Sequence, residues 1–313
     1  MLDFEKPIIE LENKIAELRH VSSDGEVNIA DEISRMQSKA DKLMSSAYDK
    51  LSPVQKVQVA RHADRPSFQD YIGGIVTDFV PLAGDRNFAE DNALQGGLGR
   101  IGGRSCVIMG HEKGQNTEER IKHNFGMARP EGYRKAQRLM EMAAQFQIPI
   151  VTLVDTKGAY PGMGAEERGQ SEAIAKSIEK SLRADVPIVS VIVGEGGSGG
   201  AVAIAVADRI YMLEHSIYSV ISPEGCASIL WRSASHADEA ATALKLTAQD
   251  LYKMKLIDGI IEEPVGGAHR HKKDTIARVG EQVNDALDEL MPWDTKSIIE
   301  ERRKKFIAFG REL

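Results

Sequence analysis

Residues 194–208 read GEGGSGGAVAIAVAD and directly follow the apolar run VPIVSVIV. An apolar, β-branched run that breaks into glycines and then turns Ala-rich reads as a strand, a tight loop and a helix start. The loop fits two unrelated chemical motifs. Gly194, Gly196 and Gly199 match the dinucleotide fingerprint G-x-G-x-x-G, and Glu214 lies downstream where an acid could hold a ribose hydroxyl. Against an NAD-dependent Rossmann oxidoreductase, the helix before the next strand is short and the loop comes two βα units into the domain rather than one. Gly196, Ser198 and Gly200 match the nucleophile elbow G-x-S-x-G, with Asp258 and His269 or His271 following in the chain order of a hydrolase triad. Chain order alone does not bring three groups within hydrogen-bond reach. A third reading uses only the main chain. Glycines at a strand end leave N–H groups uncovered, and a helix start has N–H groups without intrahelical partners, so such a corner holds an oxyanion. The preceding strand ends the same way, in VDTKGAYPGMGAEERG. Gly158 or Ala159 from that turn and Gly199, Gly200 or Ala201 from the next can then aim N–H groups at one oxygen.

Positioning two such turns side by side requires neighbouring strands. EGYRKAQRLMEMAAQFQ reads as a helix, IPIVTLVDT as a buried strand, EERGQSEAIAKSIEKSLRAD as one helix and VPIVSVIV as a second buried strand. Buried strands alternating with helices predict an α/β body with parallel pairing. Upstream, NALQGGLGRI and RSCVIMGHE read as strands joined at Gly102 and Gly103. Downstream, RIYMLEH and SIYSVIS read as short strands, and PEGCASILWR, DEAATALKL, TAQDLYKMKL, residues 271–291 and SIIEERRKKFIAFG as helices. Trp231 and Met254 are expected in the core. Asp155, at a strand end, is expected to brace the turn, and Glu166 and Glu167 to open a helix, where carboxylates favour the dipole. The first 65 residues are charged and helix-periodic, with apolar stripes at Ile8, Ile9, Leu11, Ile15 and Leu18 and at Ile29, Ile33, Met36, Ala40 and Leu43. They predict a helical arm over 1–65 before a catalytic body over 66–313.

A formal net charge of −7 over 313 residues argues against general nucleic-acid binding. The longest apolar runs fall well short of the ~20 residues that span a bilayer, and the N-terminus carries acid where a signal peptide carries base, so a cytoplasmic protein is expected. Two cysteines, Cys106 and Cys226, are too few for a zinc ribbon or a disulfide scaffold, and no metal site is expected.

RPEGYRKAQRLMEMAAQFQIPIVTLVDTKGAYPGMGAEERGQSEAIA, then VPIVSVIVGEGGSGGAVAIAVAD and YSVISPEGCASILW, closely resemble the α subunits of bacterial acetyl-coenzyme A carboxylase carboxyltransferase. The resemblance runs from the N-terminal helices to GIIEEPVGGAHR. It implies the crotonase-like fold, a spiral of ββα units. It also implies transfer of a carboxyl group from N-carboxybiotin, carried on the biotin carboxyl carrier protein, to acetyl-CoA, giving malonyl-CoA at the first committed step of fatty acid biosynthesis. The implied partners are a zinc-containing β subunit in an α₂β₂ heterotetramer, and biotin carboxylase. By the same resemblance Gly200 and Ala201, opposed by Gly158 and Ala159, form the oxyanion hole for the biotin ureido oxygen, with Gly199 as a further donor. Tyr160, Pro161, Gly162, Gly196 and Gly197 would line the biotin pocket. Arg129 and Arg134, with Lys135 and Arg138 on the same helix, are candidates for CoA phosphates or the β subunit. Lys253, in YKMKLID, is expected on a solvated helix face and not to carry biotin.

Overall fold

The computed structural model describes residues 2–21 and 27–311. Its helices are α1 (Lys6–Val21), α2 (Val27–Asp49), α3 (Pro53–Ala60) and α4 (Phe68–Ile75), followed by strands β1 (Thr77–Pro81), β2 (Leu94–Ile101) and β3 (Arg104–His111). Then come α5 (Thr117–Lys122), α6 (Pro130–Phe146), β4 (Ile150–Thr156), α7 (Met163–Glu167), α8 (Gln170–Arg183), β5 (Ile188–Gly197) and α9 (Ser198–Ala205). The chain closes through β6 (Arg209–Leu213), β7 (Ile217–Ser219), α10 (Pro223–Trp231), α11 (Ala237–Ala243), α12 (Ala248–Lys253), β8 (Gly259–Ile261), α13 (Lys272–Leu290) and α14 (Thr295–Ala308).

The sheet runs β1-β2-β3-β4-β5-β6-β8, with β7 paired to the far end of β5. β2 and β3 form the antiparallel hairpin expected at Gly102 and Gly103, both at positive φ, and β3 through β8 are parallel. Every residue of β5 is buried because helices cover both faces, which is why its sequence is continuously apolar rather than alternating. Core side chains of α6, α8 and α9 pack on one face, and those of α4 and α13 on the other.

Three local expectations differ from the structure, and one strand, β8, has no counterpart in the sequence reading. EERGQSEAIAKSIEKSLRAD is two helices, broken by Gly169 at φ 80°; Glu166 does fall in the first turn of the five-residue α7, while Glu167 ends it. β5 continues four residues past Val193, carrying Gly194 and Gly196 within a strand. Short β8 has a sequence, GII, too brief to show a period. Trp231 is 39% exposed and stacks on His236 instead of entering the core, while Met254 does pack against it.

The first helices join the body through buried polar contacts as well as apolar ones. Ile8, Met44 and Tyr48 form a small core, whereas Leu43 is exposed and Ile29 lies outside the described side chains. The Tyr48 hydroxyl donates to Glu5 at 2.8 Å, and Arg270 donates to Glu5 and Glu12. Arg65 donates through both terminal nitrogens to the buried Glu263 carboxylate, at 2.9 and 2.8 Å, and also to the Val193 carbonyl. Glu263 in turn accepts from the His215 and Ala268 amides.

This burial makes stability depend on pH. Burial pushes the imidazoles of His111, His215 and His269 down to about 4 from 6.5. Burial alone would raise Glu263, but Arg65 overrides it and holds the carboxyl at about 2, below its usual 4.5. All four folded values are depressed, so their stabilisation is complete above the unfolded values and is lost as pH falls through the folded ones. Each histidine therefore costs about 1.4 kcal/mol per pH unit as pH falls from 6.5 toward 4, and Glu263 adds its share below 4.5. Urea midpoints at pH 7.5 and 5 should differ clearly, with the lower stability at pH 5. Equal midpoints would mean that the three rings protonate freely in the folded chain.

Candidate functional site

β4 and β5 are parallel neighbours, with Thr156 beside Gly196, so their carboxyl ends deliver two turns to the same level. The turns touch, and glycine is what lets them. A Cβ on Gly200 would lie 2.6 Å from the Ala159 nitrogen and the Gly158 carbonyl carbon, and one on Gly197 would lie 2.1 Å from the Lys157 oxygen. Gly158 itself has φ 145°, a backbone state that side chains disfavour. Ser198 takes φ 51° at the start of α9, the sharp corner that carries the chain from strand to helix.

The amides divide into engaged and open ones. Gly158 N–H donates to Thr156 Oγ1 at 3.1 Å, and that hydroxyl donates to the Gly158 carbonyl, so Gly158 serves the turn's shape rather than a ligand. In a regular helix the Ala201 N–H turns back toward the Gly197 carbonyl. No side chain caps α9 at Gly197. Ala159 on one turn and Gly199 and Gly200 on the other are thus the open donors, and Gly200 is packed directly against Ala159.

The surroundings hold these turns in place. Asp155 accepts from the Glu195 amide at 2.8 Å and pairs with Lys113, bracing the end of β5 as its place at a strand end predicts. Arg61 donates to Glu195 and to Glu224, tying β5 to α10. Tyr160 leads away from the first turn; its amide donates to Ala128, and its ring folds over Gly162 with the Arg129 guanidinium 4.9 Å from its centroid. Pro161 is exposed beside them. Arg134 donates to the Arg168 carbonyl, and Arg168 pairs with Glu131. Lys135 does not face solvent or a phosphate: it is buried against Glu90 and the Asp91 carbonyl, while Arg138 donates to the carbonyls of Leu82 and Gly84.

Neither side-chain motif assembles. In the dinucleotide reading Gly194 and Gly196 should lie in the loop, but they are inside β5. The parallel strands add in chain order on one side, without the reversal at which a Rossmann sheet opens its crevice. Glu214 accepts from the Glu263 amide, and burial raises its pKa. For the triad, Asp258 pairs with Lys305 and His269 stacks on His62 with centroids 4.2 Å apart, and neither bonds Ser198. The contributions of Arg61, Arg65, His111 and Lys113 are not visible in the sequence: the first two come from the segment between α3 and α4, the others from the end of β3 and the loop after it.

No helix among the described residues is long and apolar enough to cross a membrane, and among them no cluster of side chains could hold a metal ion. The family described as acetyl co-enzyme A carboxylase carboxyltransferase-like matches residues 1–310. The acetyl-coenzyme A carboxylase carboxyl transferase subunits alpha of Rhodospirillum centenum and Paramagnetospirillum magneticum are each 61% identical over 311 residues, covering 99% of this chain and 98% of theirs. Among solved structures, transcarboxylase 12S is similar with a TM-score of 0.60 at 20% identity, over 78% of this chain and 46% of that one. A Pseudomonas malonate decarboxylase hetero-dimer chain is similar with a TM-score of 0.57 at 14% identity, over 77% of this chain and 92% of that one. The parallel ladder with its paired glycine turns is the crotonase-like fold, and the chain belongs to the family of acetyl-CoA carboxylase carboxyltransferase α subunits.

Proposed function

We propose that this chain transfers a carboxyl group to acetyl-CoA to form malonyl-CoA, in the cytoplasm, as the α half of an α₂β₂ carboxyltransferase. A carboxyl transferase subunit works in a complex with other subunits; the specific partners proposed are a zinc-containing β subunit, the biotin carboxyl carrier protein and biotin carboxylase. What supports the reading is the contact between the Gly158–Ala159 turn and Gly200, which stands at a helix start whose first N–H groups have no intrahelical acceptor. Carboxybiotin, held on the carrier, supplies the carboxyl group. The cradle fits a ureido oxygen because it offers main-chain donors beside Gly158, Gly199 and Gly200: Gly200 N–H and Ala159 N–H take the oxygen, with Gly199 beside them. Fixed donors aimed at an oxygen that gains charge are typically worth ~10²–10³ in rate each. Main-chain amides suit this because they have no proton to lose and the fold holds them. Tyr160, Pro161 and Gly162 form one wall and Gly196 and Gly197 the floor. Arg129, stacked on Tyr160, is placed to meet a CoA phosphate or the β subunit at the rim, and Arg134 stands one turn along α6. The β subunit completes the site and excludes water.

Carboxyl exchange between malonyl-CoA and free biotin tests this directly. The purified chain alone should be inactive, and adding a β subunit should restore exchange. Exchange by this chain alone, or none with the β subunit, would overturn the reading. The isolated chain should neither bind NAD nor be labelled by a fluorophosphonate at Ser198.

A further inference from the structure

Beside the paired turns a cleft of about 150 Å³ opens at the carboxyl ends of β3 and β4, between the segment leading into α4 and the loop after β3. Its lining carries five cations, Arg61, Arg65, Lys113, Arg120 and Lys157, against one carboxylate, Asp155. Three of the cations are neutralised within the fold: Arg61 by Glu195 and Glu224, Arg65 by Glu263 and Lys113 by Asp155. Arg120 reaches only the carbonyls of Gly114 and Gln115, at 3.5 and 3.4 Å. Lys157 makes no hydrogen bond or ion pair among the described residues, although Glu224 feels its charge. The cleft therefore keeps a positive excess.

His111 supplies the second observation. It ends β3, lines the cleft and is only 2% exposed, yet neither ring nitrogen has a hydrogen-bond partner. The ring feels Asp155 and Lys113 and lies close enough to the Gly200 backbone for that group to raise its pKa, but neither nitrogen meets a partner in hydrogen-bonding geometry. A buried polar group left unmatched costs about 1–3 kcal/mol, so an imidazole aimed into a polar cleft calls for a ligand there. Burial keeps the ring neutral near pH 7, so it offers one N–H donor and no charge.

We propose that this cleft binds a small, singly charged oxyanion of carboxylate type, a carboxylate or bicarbonate, which accepts from the His111 N–H and lies against the Lys157 ammonium. The Asp155 carboxylate in the wall selects against a second negative charge, which disfavours phosphate dianion. The proposal does not depend on carboxyl transfer, since it concerns groups on this chain alone.

The test titrates ¹³C-labelled bicarbonate and, separately, ¹³C-labelled acetate, a singly charged carboxylate, onto the full chain at pH 8, followed by ¹³C NMR, with inorganic phosphate as competitor. Saturable binding is expected, and the anion that saturates at the lower concentration identifies the source. Lys157→Gln should weaken it about tenfold, the loss of one charge-assisted contact. His111→Gln, which keeps a donor and an acceptor in the cleft, should weaken it as well, with folding checked by the urea midpoint. Three results would each overturn the proposal: no saturable binding of either anion, meaning that the cleft holds water only; phosphate binding more tightly than both; or both variants binding like the parent. The assay contains no biotin, CoA or β subunit, so its failure is distinct from a failure of carboxyl exchange.

Discussion

Gly200→Ala is expected to lower carboxyl exchange with the β subunit by at least ~10²-fold while leaving the chain folded, whereas Gly199→Ala next to it should change little. The difference lies in what each added methyl meets. At Gly200 the new Cβ would fall 2.6 Å from the Ala159 nitrogen and the Gly158 carbonyl carbon and 3.1 Å from Gly158 Cα, all main-chain atoms. These cannot swing aside as a side chain could, so the first turn must shift, and the two amides no longer meet at one point. At Gly199 the Cβ would meet only Ile174 side-chain carbons at 3.6 and 3.7 Å, an ordinary contact. Both substitutions keep the N–H, so the experiment separates position from presence of the donor. Because the donors act on charge that develops during reaction, the Gly200→Ala loss should fall on kcat more than on KM. Equal losses at both positions, or full activity in Gly200→Ala, would detach these turns from the chemistry.

That contrast also marks how far the sequence could be read. Buried parallel strands, the hairpin at Gly102 and Gly103 and the glycine turns after β4 and β5 were legible because period, β-branching and glycine clusters are local signals. Which amides are open was not legible, since the Gly158 N–H is taken by Thr156 Oγ1 and only the folded turn shows it. The division between α7 and α8 was missed because Gly169 is a lone glycine inside a helical pattern, where it is usually tolerated. His111 and Lys113 flank the site through β3, which adds to the sheet beside β4; no spacing in the chain connects them to Asp155 or Lys157. The last helix is a run of charges in the sequence, yet one of them is only 1% exposed.

That charge is Arg302, which α14 presents toward the start of β5. All five of its N–H donors are used: Nε and Nη2 bond the Asp208 carboxylate at 2.9 and 2.6 Å, Nη1 the carbonyls of Ser181 and Ala184 at 2.7 and 2.6 Å, and Nη2 also the Val186 carbonyl at 2.8 Å. The first two carbonyls are at the end of α8, where the last carbonyls of a helix lack intrahelical partners; Ser181 also accepts from the Ala184 amide. Asp208 also accepts from the Ile188 amide, so a single guanidinium fixes the end of α8, the start of β5 and the start of β6. Arg302→Met keeps much of the volume but leaves Asp208 buried without its counter-charge and the Ala184 and Val186 carbonyls without their donor. Breaking a buried pair on one side typically costs about 3–5 kcal/mol, and a fall of that size in urea unfolding free energy is expected. Arg302→Lys should recover little, because one ammonium with three donors cannot reproduce a planar fork reaching four groups. In the double variant with Asp208→Asn the two losses should sum to more than the observed change, since the second substitution removes the stranded charge left by the first. An Arg302→Met chain that unfolds at the parental urea concentration would show that α14 is merely a charged end and that β5 is held from elsewhere.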